Sequence, residues 1–139
     1  MTFVHSATAV ALGGRAVLIE GSPGSGKSSL ALALIDRGAM LIGDDGVTLM
    51  ERAGRLLASP PPNIAGLIEV RNLGLLPFPT CHEVPVALVL RLTSDAPRFI
   101  DAARQISIAG VTLPLVELWP DSPINAIKTE LALKQYGLS

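Results

Sequence analysis

A glycine-rich segment near the N-terminus constrains this chain more than any other feature. It fits the Walker A pattern GxxxxGK[ST], a loop that wraps phosphate groups. An apolar stretch at 16–20 precedes it and an Ala- and Leu-rich stretch begins at Lys27. The pattern therefore lies between a predicted strand and a predicted helix, the context that phosphate binding requires. We call it the Gly-rich loop, and it comprises Gly21, Ser22, Pro23, Gly24, Ser25, Gly26, Lys27 and Ser28.

The residue types of the Gly-rich loop predict a nucleoside triphosphate bound with magnesium. Gly24 and Gly26 permit backbone torsions that a side chain would disfavour, so successive N–H groups can point at a phosphate. Lys27 is expected to reach the β- and γ-phosphates, and the hydroxyl of Ser28 to ligate Mg²⁺. The pattern by itself does not identify the group that accepts the phosphate.

Carboxylates follow two later apolar runs, where a sheet would present them to a bound metal. Asp44 and Asp45 follow the run 40–43, and Glu69 lies in the run 65–70, just before Arg71. Adjacent residues on a strand point to opposite sides, so the two aspartates are expected to differ in role, although the pattern does not say which does what. The alternative is a turn at 44–45 and a surface ion pair between Glu69 and Arg71.

Length and composition favour one compact α/β domain spanning 1–139. Only 4% of the residues are aromatic, so the core must be aliphatic, which is typical of parallel sheets covered by helices on both faces. The formal net charge of -1 offers no basic field for a nucleic acid. Pro, Gly or charged residues interrupt every apolar stretch well short of the roughly 20 residues that span a membrane. Cys81 is the single cysteine, which excludes an intrachain disulfide and favours a cytoplasmic setting.

Hydrophobic periodicity and turn residues predict the order of elements. Strands are predicted at 3–12, 16–20, 40–43, 47–51, 55–58 and 84–92, an apolar element at 65–70, and a strand pair at 106–116 bent at Gly110. A helix is predicted from Lys27 to the stop at Gly38, and a second over 122–136 with Ser122 as its cap and Pro123 at its first position. The stretch 98–104 is expected to be a short helix or a loop.

Three segments of the chain resemble the HPr kinase/phosphorylases, bacterial enzymes that phosphorylate a serine of HPr, the phosphocarrier of the sugar phosphotransferase system. They are 17–38 with the Gly-rich loop, 41–45 with the aspartate pair, and 66–74, which is close to the family signature Glu-[Ile/Val]-Arg-Gly-Leu-Gly. The resemblance implies a P-loop domain with a mostly β core and flanking helices, similar to the phosphoenolpyruvate carboxykinase-like kinases. It also implies ATP and Mg²⁺ as cofactors, HPr or an HPr-like domain as partner, and a homo-oligomer, a hexamer in many members.

The same resemblance implies roles for single residues. Asp45 matches the base that takes the proton from the serine hydroxyl, and Glu69 matches a magnesium ligand beside Ser28. His5, which by residue type alone reads as a buried or edge histidine, matches an active-site histidine. Arg98 matches a later active-site arginine, for which Arg104 is the competing candidate. The implied catalytic residues are His5, Lys27, Asp45, Arg71 and Arg98.

The chain departs from the family pattern in three places. The resemblance begins at the kinase domain, so we expect no extra N-terminal regulatory domain like that of full-length members, which would make the chain similar to the short form of alphaproteobacteria. Asn72 stands where the signature has Gly. The family's basic segment tied to dephosphorylation corresponds to 118–122, which has no Lys or Arg, so phosphorylase activity is expected to be weak, because inorganic phosphate needs cations to hold it. Two other functions fit the Gly-rich loop: a small-molecule kinase and a noncatalytic nucleotide sensor.

Overall fold

The computed structural model describes residues 1–63 and 65–139, and these residues form eleven strands and two helices. In chain order they are β1 (Thr2–His5), β2 (Thr8–Leu12), β3 (Arg15–Gly21), α1 (Lys27–Asp36), β4 (Met40–Gly43), β5 (Val47–Arg52), β6 (Arg55–Ser59), β7 (Leu67–Val70), β8 (Gly74–Pro77), β9 (Val84–Leu92), β10 (Arg104–Ile108), β11 (Val111–Leu118) and α2 (Asn125–Tyr136).

Nine of the strands form one mixed sheet. Seven of them follow the order β1-β5-β6-β9-β3-β2-β4, and β11 joins β9 and carries β10 at its other side. β9 pairs in parallel with β3 and β11, and the other strand pairings are antiparallel. The aliphatic composition therefore led to a wrong expectation of a parallel sheet, because strands buried on both faces look alike in either orientation.

Both helices cover the same face of the sheet. Leu34 of α1 and Leu133 of α2 share one hydrophobic cluster with Val17 and Ile19 of β3. Leu18, between those two strand residues, belongs instead to a second cluster, as the alternation of side chains along a strand requires. The expectation of helices on both faces was wrong, because strands β5 and β6 fold over the second face. They bury Val47, Leu49, Leu56 and Ala58 there.

The helices differ in how well the sequence predicted them. α1 begins at Lys27, and its end is closed by Ala39, whose N–H donates to the carbonyl of Leu34 at 3.0 Å, beside Gly38 at φ 108°. α2 begins at Asn125, two residues after the predicted first position at Pro123, and Ile124 occupies the cap position. Ser122 does not cap the helix: its carbonyl accepts the N–H of Asn125 in a preceding turn.

Three other predictions from the periodicity change in detail. The predicted strand 3–12 is two strands, because the chain leaves β5 after His5 and joins β3 from Thr8. The apolar element 65–70 contains β7, which forms a separate hairpin with β8, a strand that the sequence did not predict. The stretch 98–103 is a loop. The remaining predicted strands and the pair bent at Gly110 are confirmed within one to two residues at each end.

Within residues 1–63 and 65–139, neither helix combines the length and the apolar character that crossing a membrane would take.

Candidate functional site

One edge of the sheet collects the loops that carry the predicted site residues. β3, β9 and β11 run in parallel, so their carboxyl ends lie at the same edge. β4 is antiparallel to β2, which is antiparallel to β3, so β4 ends at this edge too and β2 begins there. The Gly-rich loop, Asp44 and Asp45 therefore meet although they are distant in sequence.

The Gly-rich loop turns sharply from β3 into α1. Gly24 has φ 81° and Gly26 has φ 99°, torsions that favour glycine. An added Cβ at Gly24 would meet no atom within 4 Å, so the open side of the loop has room for a ligand. The first N–H groups of α1 lack helical partners and face this opening with the positive end of the helix dipole. The loop thus has the shape and the polarity of an anion cradle.

Two side chains of the Gly-rich loop donate hydrogen bonds, one to a carbonyl within the loop and one to Asp44. The ammonium of Lys27 donates to the carbonyl oxygen of Gly21 at 2.8 Å, folding back over the loop. The hydroxyl of Ser28 donates to Oδ1 of Asp44 at 2.7 Å. The hydroxyl of Ser25 is buried and has no partner among the described residues. The hydroxyl of Ser28, which was predicted to ligate Mg²⁺, is therefore in contact with the carboxylate of Asp44.

A cavity of about 550 Å³ opens on one side of the Gly-rich loop. We call it the aspartate cavity, and its charged lining residues are Lys27, Asp45, Glu69, Arg71 and Asp121. In the part of the chain that the structure describes, Asp45, Glu69 and Arg71 form no ion pair within 4.0 Å. The volume of the aspartate cavity is in the range of small-molecule sites, and the charges of these three side chains are available to a ligand.

A second cavity, of about 650 Å³, lies on the other side of the loop. We call it the Arg91 cavity, and it is lined by the loop residues 21–25 and by Ser6, Glu20, Arg91, Leu92, Thr93, Ser94, Pro120 and Asp121. Here Oε1 of Glu20 accepts from the guanidinium of Arg91 at 3.1 Å, while Oε2 lies 3.2 Å from Nε2 of His5. The hydrogen bond with His5, followed by the contacts with Arg91, holds the pKa of Glu20 below its ordinary value, against the opposing effect of burial.

The structure brings most of the predicted site residues to this edge, with three exceptions. His5 lines neither cavity and reaches the site only through Glu20. Arg98 is exposed on the loop between β9 and β10 and also lines neither cavity. Arg104 forms an ion pair with Glu117 at 3.2 Å. Among the described residues, two arginines line the cavities beside the Gly-rich loop: Arg71, which was predicted, and Arg91, which the sequence did not single out.

Five residues of this edge were not assigned a role from the sequence. They are Thr8, Glu20, Asp44, Arg91 and Asp121. Glu20 directly precedes the Gly-rich loop, and Arg91 is next to the last residue of a strongly predicted strand. Both residues lie at the carboxyl end of a predicted strand. Because the carboxyl ends of parallel strands lie at the same edge of a sheet, these positions could have identified Glu20 and Arg91 as site residues. Thr8 and Asp121 carried no such local signal.

Oxygen ligands suited to Mg²⁺ are present but sparse. Among residues 1–63 and 65–139, no three His, Cys, Asp or Glu side chains cluster closely enough to form a metal site alone. Mg²⁺ is commonly held by one or two carboxylates together with substrate phosphates and water. The contact between Ser28 and Asp44, with Glu69 on the wall of the aspartate cavity, fits that arrangement and not a permanent metal centre.

Comparison with known proteins assigns the sequence of this chain to a family. The family model of the HPr Serine kinase C-terminal domain matches residues 2–86, which include the Gly-rich loop, both aspartates, Glu69 and Arg71. This chain belongs to that family.

The relatives agree with this assignment. An HPr kinase/phosphorylase of Clostridium tetani is 40% identical over 78 residues, covering 56% of this chain and 26% of that protein. One from Mycoplasma mycoides subsp. mycoides is 32% identical over 127 residues, covering 81% of this chain and 39% of the relative. This chain therefore spans about a quarter to two fifths of the length of these relatives.

A solved structure resembles the fold over nearly its whole length. The HPr(Ser) kinase/phosphatase from Coxiella burnetii superposes with a TM-score of 0.83 at 25% identity, covering 95% of this chain and 94% of that one. The mixed, mostly β architecture described above is therefore that of an HPr kinase structure.

Proposed function

We propose that this domain is an ATP-dependent protein serine kinase that phosphorylates HPr or an HPr-like phosphocarrier. The observation that carries the proposal is the aspartate cavity, where the Gly-rich loop faces carboxylates that are not neutralised by partners in the described chain. Membership of the HPr Serine kinase C-terminal domain family supports the choice of acceptor. A phosphoryl-transfer site needs this combination, since positioning and electrostatics supply most of its catalysis.

The Gly-rich loop would hold the phosphates of ATP. Its N–H groups and the N-terminus of α1 would bind the phosphate oxygens, and Lys27 would leave the carbonyl of Gly21 to stabilise charge on the transferring group. Ser28, Asp44 and Glu69 would hold Mg²⁺. The metal supplies neutralisation of negative charge on the phosphates. These assignments are supported by the contact of Ser28 with Asp44.

Asp45 would act as the base toward the acceptor serine. Its side chain is exposed on the wall of the aspartate cavity, where a protein partner can reach it. In the transfer, the serine oxygen forms a bond to the γ-phosphorus, the bond to the leaving ADP oxygen breaks, and Asp45 accepts the proton of the hydroxyl. Arg71, on the same wall, would stabilise the phosphoryl charge.

Two further residues keep their predicted roles as proposals. His5 would act through Glu20, its hydrogen-bond partner, as an orienting group. Arg98 lines neither cavity, so its role would be exercised on the bound acceptor protein.

The reverse reaction is proposed to be weak. Asp121 belongs to the segment 118–122 and lines both cavities beside the Gly-rich loop. A carboxylate at this position repels inorganic phosphate, whereas phosphorolysis of a phosphoserine needs a cation to hold that second anion.

We propose that residues 1–139 form a single phosphoenolpyruvate carboxykinase-like P-loop kinase domain, of the alphaproteobacterial type, that works in the cytoplasm as a homo-oligomer, a hexamer by resemblance.

The test is phosphorylation of the organism's own HPr by this protein with ATP and Mg²⁺, followed by detection of phosphoserine. Asp45→Asn should lower transfer by roughly 10²-fold or more, the scale of a lost general base, while binding of an ATP analogue stays within about twofold. Asp36→Asn, at the exposed far end of α1, is the matched control and should behave as wild type.

The outcomes separate the candidate functions. Phosphate transfer to small molecules but not to HPr would favour a small-molecule kinase. Nucleotide binding without transfer to any acceptor would favour a noncatalytic sensor. Transfer that is unchanged in Asp45→Asn would remove Asp45 from its role.

A further inference from the structure

Thr8 is a fully buried polar residue that touches both aspartates of the site. It is the first residue of β2 and is 0% exposed. Its hydroxyl donates to Oδ1 of Asp44 at 3.2 Å and accepts the backbone N–H of Asp45 at 3.4 Å. One side-chain oxygen therefore links two adjacent residues that lie 36 and 37 positions away in the sequence.

The pairing of the strands explains why Thr8 lies there. β2 pairs with β4 in antiparallel register, with Ala9 opposite Gly43. Thr8, one residue before Ala9, therefore faces the turn that follows Gly43. A buried hydroxyl is costly unless it is hydrogen-bonded, and at Thr8 this turn provides both partners.

The turn needs support, because its backbone conformation is uncommon. Asp45 has φ 61°, in the left-handed region that only a few per cent of residues other than Gly adopt, although Asp tolerates it better than most. Gly43, two residues before Asp45, has no room for a side chain, since an added Cβ would collide with the carbonyl oxygen of Gly46. The hydrogen bond from the Asp45 N–H to Thr8 stabilises this conformation from the neighbouring strand.

We infer that Thr8 is a positioning residue that orients Asp44 toward Ser28 and fixes the backbone from which Asp45 projects. The inference rests on the proposed function for its consequence in catalysis. Asp44 has a second donor, the hydroxyl of Ser28, but Ser28 is itself a proposed magnesium ligand. Thr8 is thus the donor to Asp44 that lies outside the metal site, and it acts through the aspartates without touching the substrate.

The experiment compares wild type, Thr8→Val and Thr8→Ser in two assays. Calorimetric titration with a non-hydrolysable ATP analogue is run with Mg²⁺ and with EDTA, and transfer to HPr is measured as kcat and KM. Thr8→Val keeps the shape but removes the hydroxyl. It should lower the Mg²⁺-dependent part of the affinity and kcat by about tenfold each, the scale of one lost hydrogen bond to a charged group. Affinity in EDTA and KM for HPr should stay within about twofold of wild type.

Thr8→Ser keeps the hydroxyl and should recover both quantities to within about threefold of wild type. Thr129→Val is the matched control: Thr129 is the other fully buried threonine, and its hydroxyl donates to the carbonyl of Asn125 in α2. It should change neither assay by more than about twofold. Equal loss in Thr8→Val and Thr8→Ser, or wild-type behaviour of Thr8→Val, would overturn the inference.

Two measurements keep this result separate from the proposed function. If the wild type transfers no phosphate to HPr, the kinase proposal fails while the calorimetric comparison still decides the role of Thr8. If Thr8→Val does not fold, amide hydrogen exchange of the wild type decides it: the Asp45 amide should exchange at least about tenfold more slowly than an unprotected loop amide. Exchange at the unprotected rate would overturn the inference.

Discussion

The two cavities beside the Gly-rich loop use their charged side chains in opposite ways. In the aspartate cavity, Asp45, Glu69 and Arg71 face the opening without ion-pair partners in the described part of the chain. In the Arg91 cavity, Glu20 is shared between Arg91 and His5. The unpaired charges of the aspartate cavity are available to a ligand. In the Arg91 cavity, the ion pairs of Glu20 with His5 and Arg91 instead connect β1, β3 and β9.

The difference shows that a charged residue next to the Gly-rich loop is not for that reason a catalytic residue. Glu20 precedes the Gly-rich loop directly, yet its carboxylate is already engaged by two partners. Asp45 is 24 positions beyond the first residue of the loop and belongs to another strand's end, yet it faces the open cavity. Removing a charge should therefore affect mainly catalysis in the aspartate cavity and mainly stability in the Arg91 cavity.

The largest effect is expected from Lys27, the cation that the Gly-rich loop contributes to the aspartate cavity. Lys27→Met should lower phosphate transfer to HPr by roughly 10²–10³-fold, because the charge of the transferring group loses a preorganised partner. Thermal unfolding should change little, since the one side-chain hydrogen bond of Lys27 within the described residues is to the carbonyl of Gly21. The measurement is steady-state transfer at saturating ATP.

The control for this charge removal is Lys134→Met, on the exposed surface of α2. It removes the same charge away from both cavities and should leave the rate within about twofold. Equal losses in the two variants would mean that net charge, and not the position of Lys27, controls transfer.

An intermediate effect is expected from Glu20, and on stability. Glu20→Gln should lower the free energy of unfolding by about 1–3 kcal/mol at pH 7, because a partly buried charge-assisted network is broken. The folded-state pKa of Glu20 lies below the ordinary 4.5. Its contribution is therefore fully present above pH 4.5 and is lost as the pH falls through the lowered folded value.

Denaturant unfolding at several pH values measures this dependence. The gap between wild type and Glu20→Gln should shrink as the pH drops below about 4.5. Glu130→Gln serves as a control, since it removes a more exposed partner of Arg37 on the surface, and its shift at pH 7 should be the smaller of the two. A gap that is constant from pH 7 to pH 3 would contradict the role of ionised Glu20.

The smallest effect is expected at Asn72, in the hairpin that carries Glu69 and Arg71. Asn72 has φ 74°, a conformation that Gly and Asn tolerate and that other residues adopt at a cost of about 1–2 kcal/mol. Asn72→Gly should leave stability within about 0.5 kcal/mol of wild type, while Asn72→Ala should lower it by about 1 kcal/mol.

Thermal unfolding of both variants measures this, with transfer to HPr followed in parallel. Destabilisation by Asn72→Gly as large as that by Asn72→Ala would show that the Asn side chain has a task beyond its backbone. The departure from the signature Gly at this position would then need a different explanation from backbone torsion.

The fold was predictable where local patterns decide it. β3, the Gly-rich loop and α1 follow one another in the predicted order, and α1 begins at Lys27 as predicted. β9 has the predicted bounds, 84–92. The break between His5 and Thr8 was not predictable, because it arises when one apolar stretch pairs with two different partners. The start of α2 was also predicted wrongly. Ser122 and Pro123 are typical of a helix start, but here they belong to a turn in which the carbonyl of Ser122 accepts the N–H of Asn125.

The candidate site divides in the same way. From the sequence came the Gly-rich loop, the aspartate pair, Glu69, Arg71 and the resemblance to the family that the comparisons confirm, because each is a short pattern of residue types at fixed spacing. Only the tertiary structure decided that Asp44 meets Ser28, that Thr8 contacts both aspartates, that Glu20 joins His5 to Arg91, and that both helices lie on one face. Those contacts depend on strand order and register across many residues, and spacing along the chain does not encode them directly.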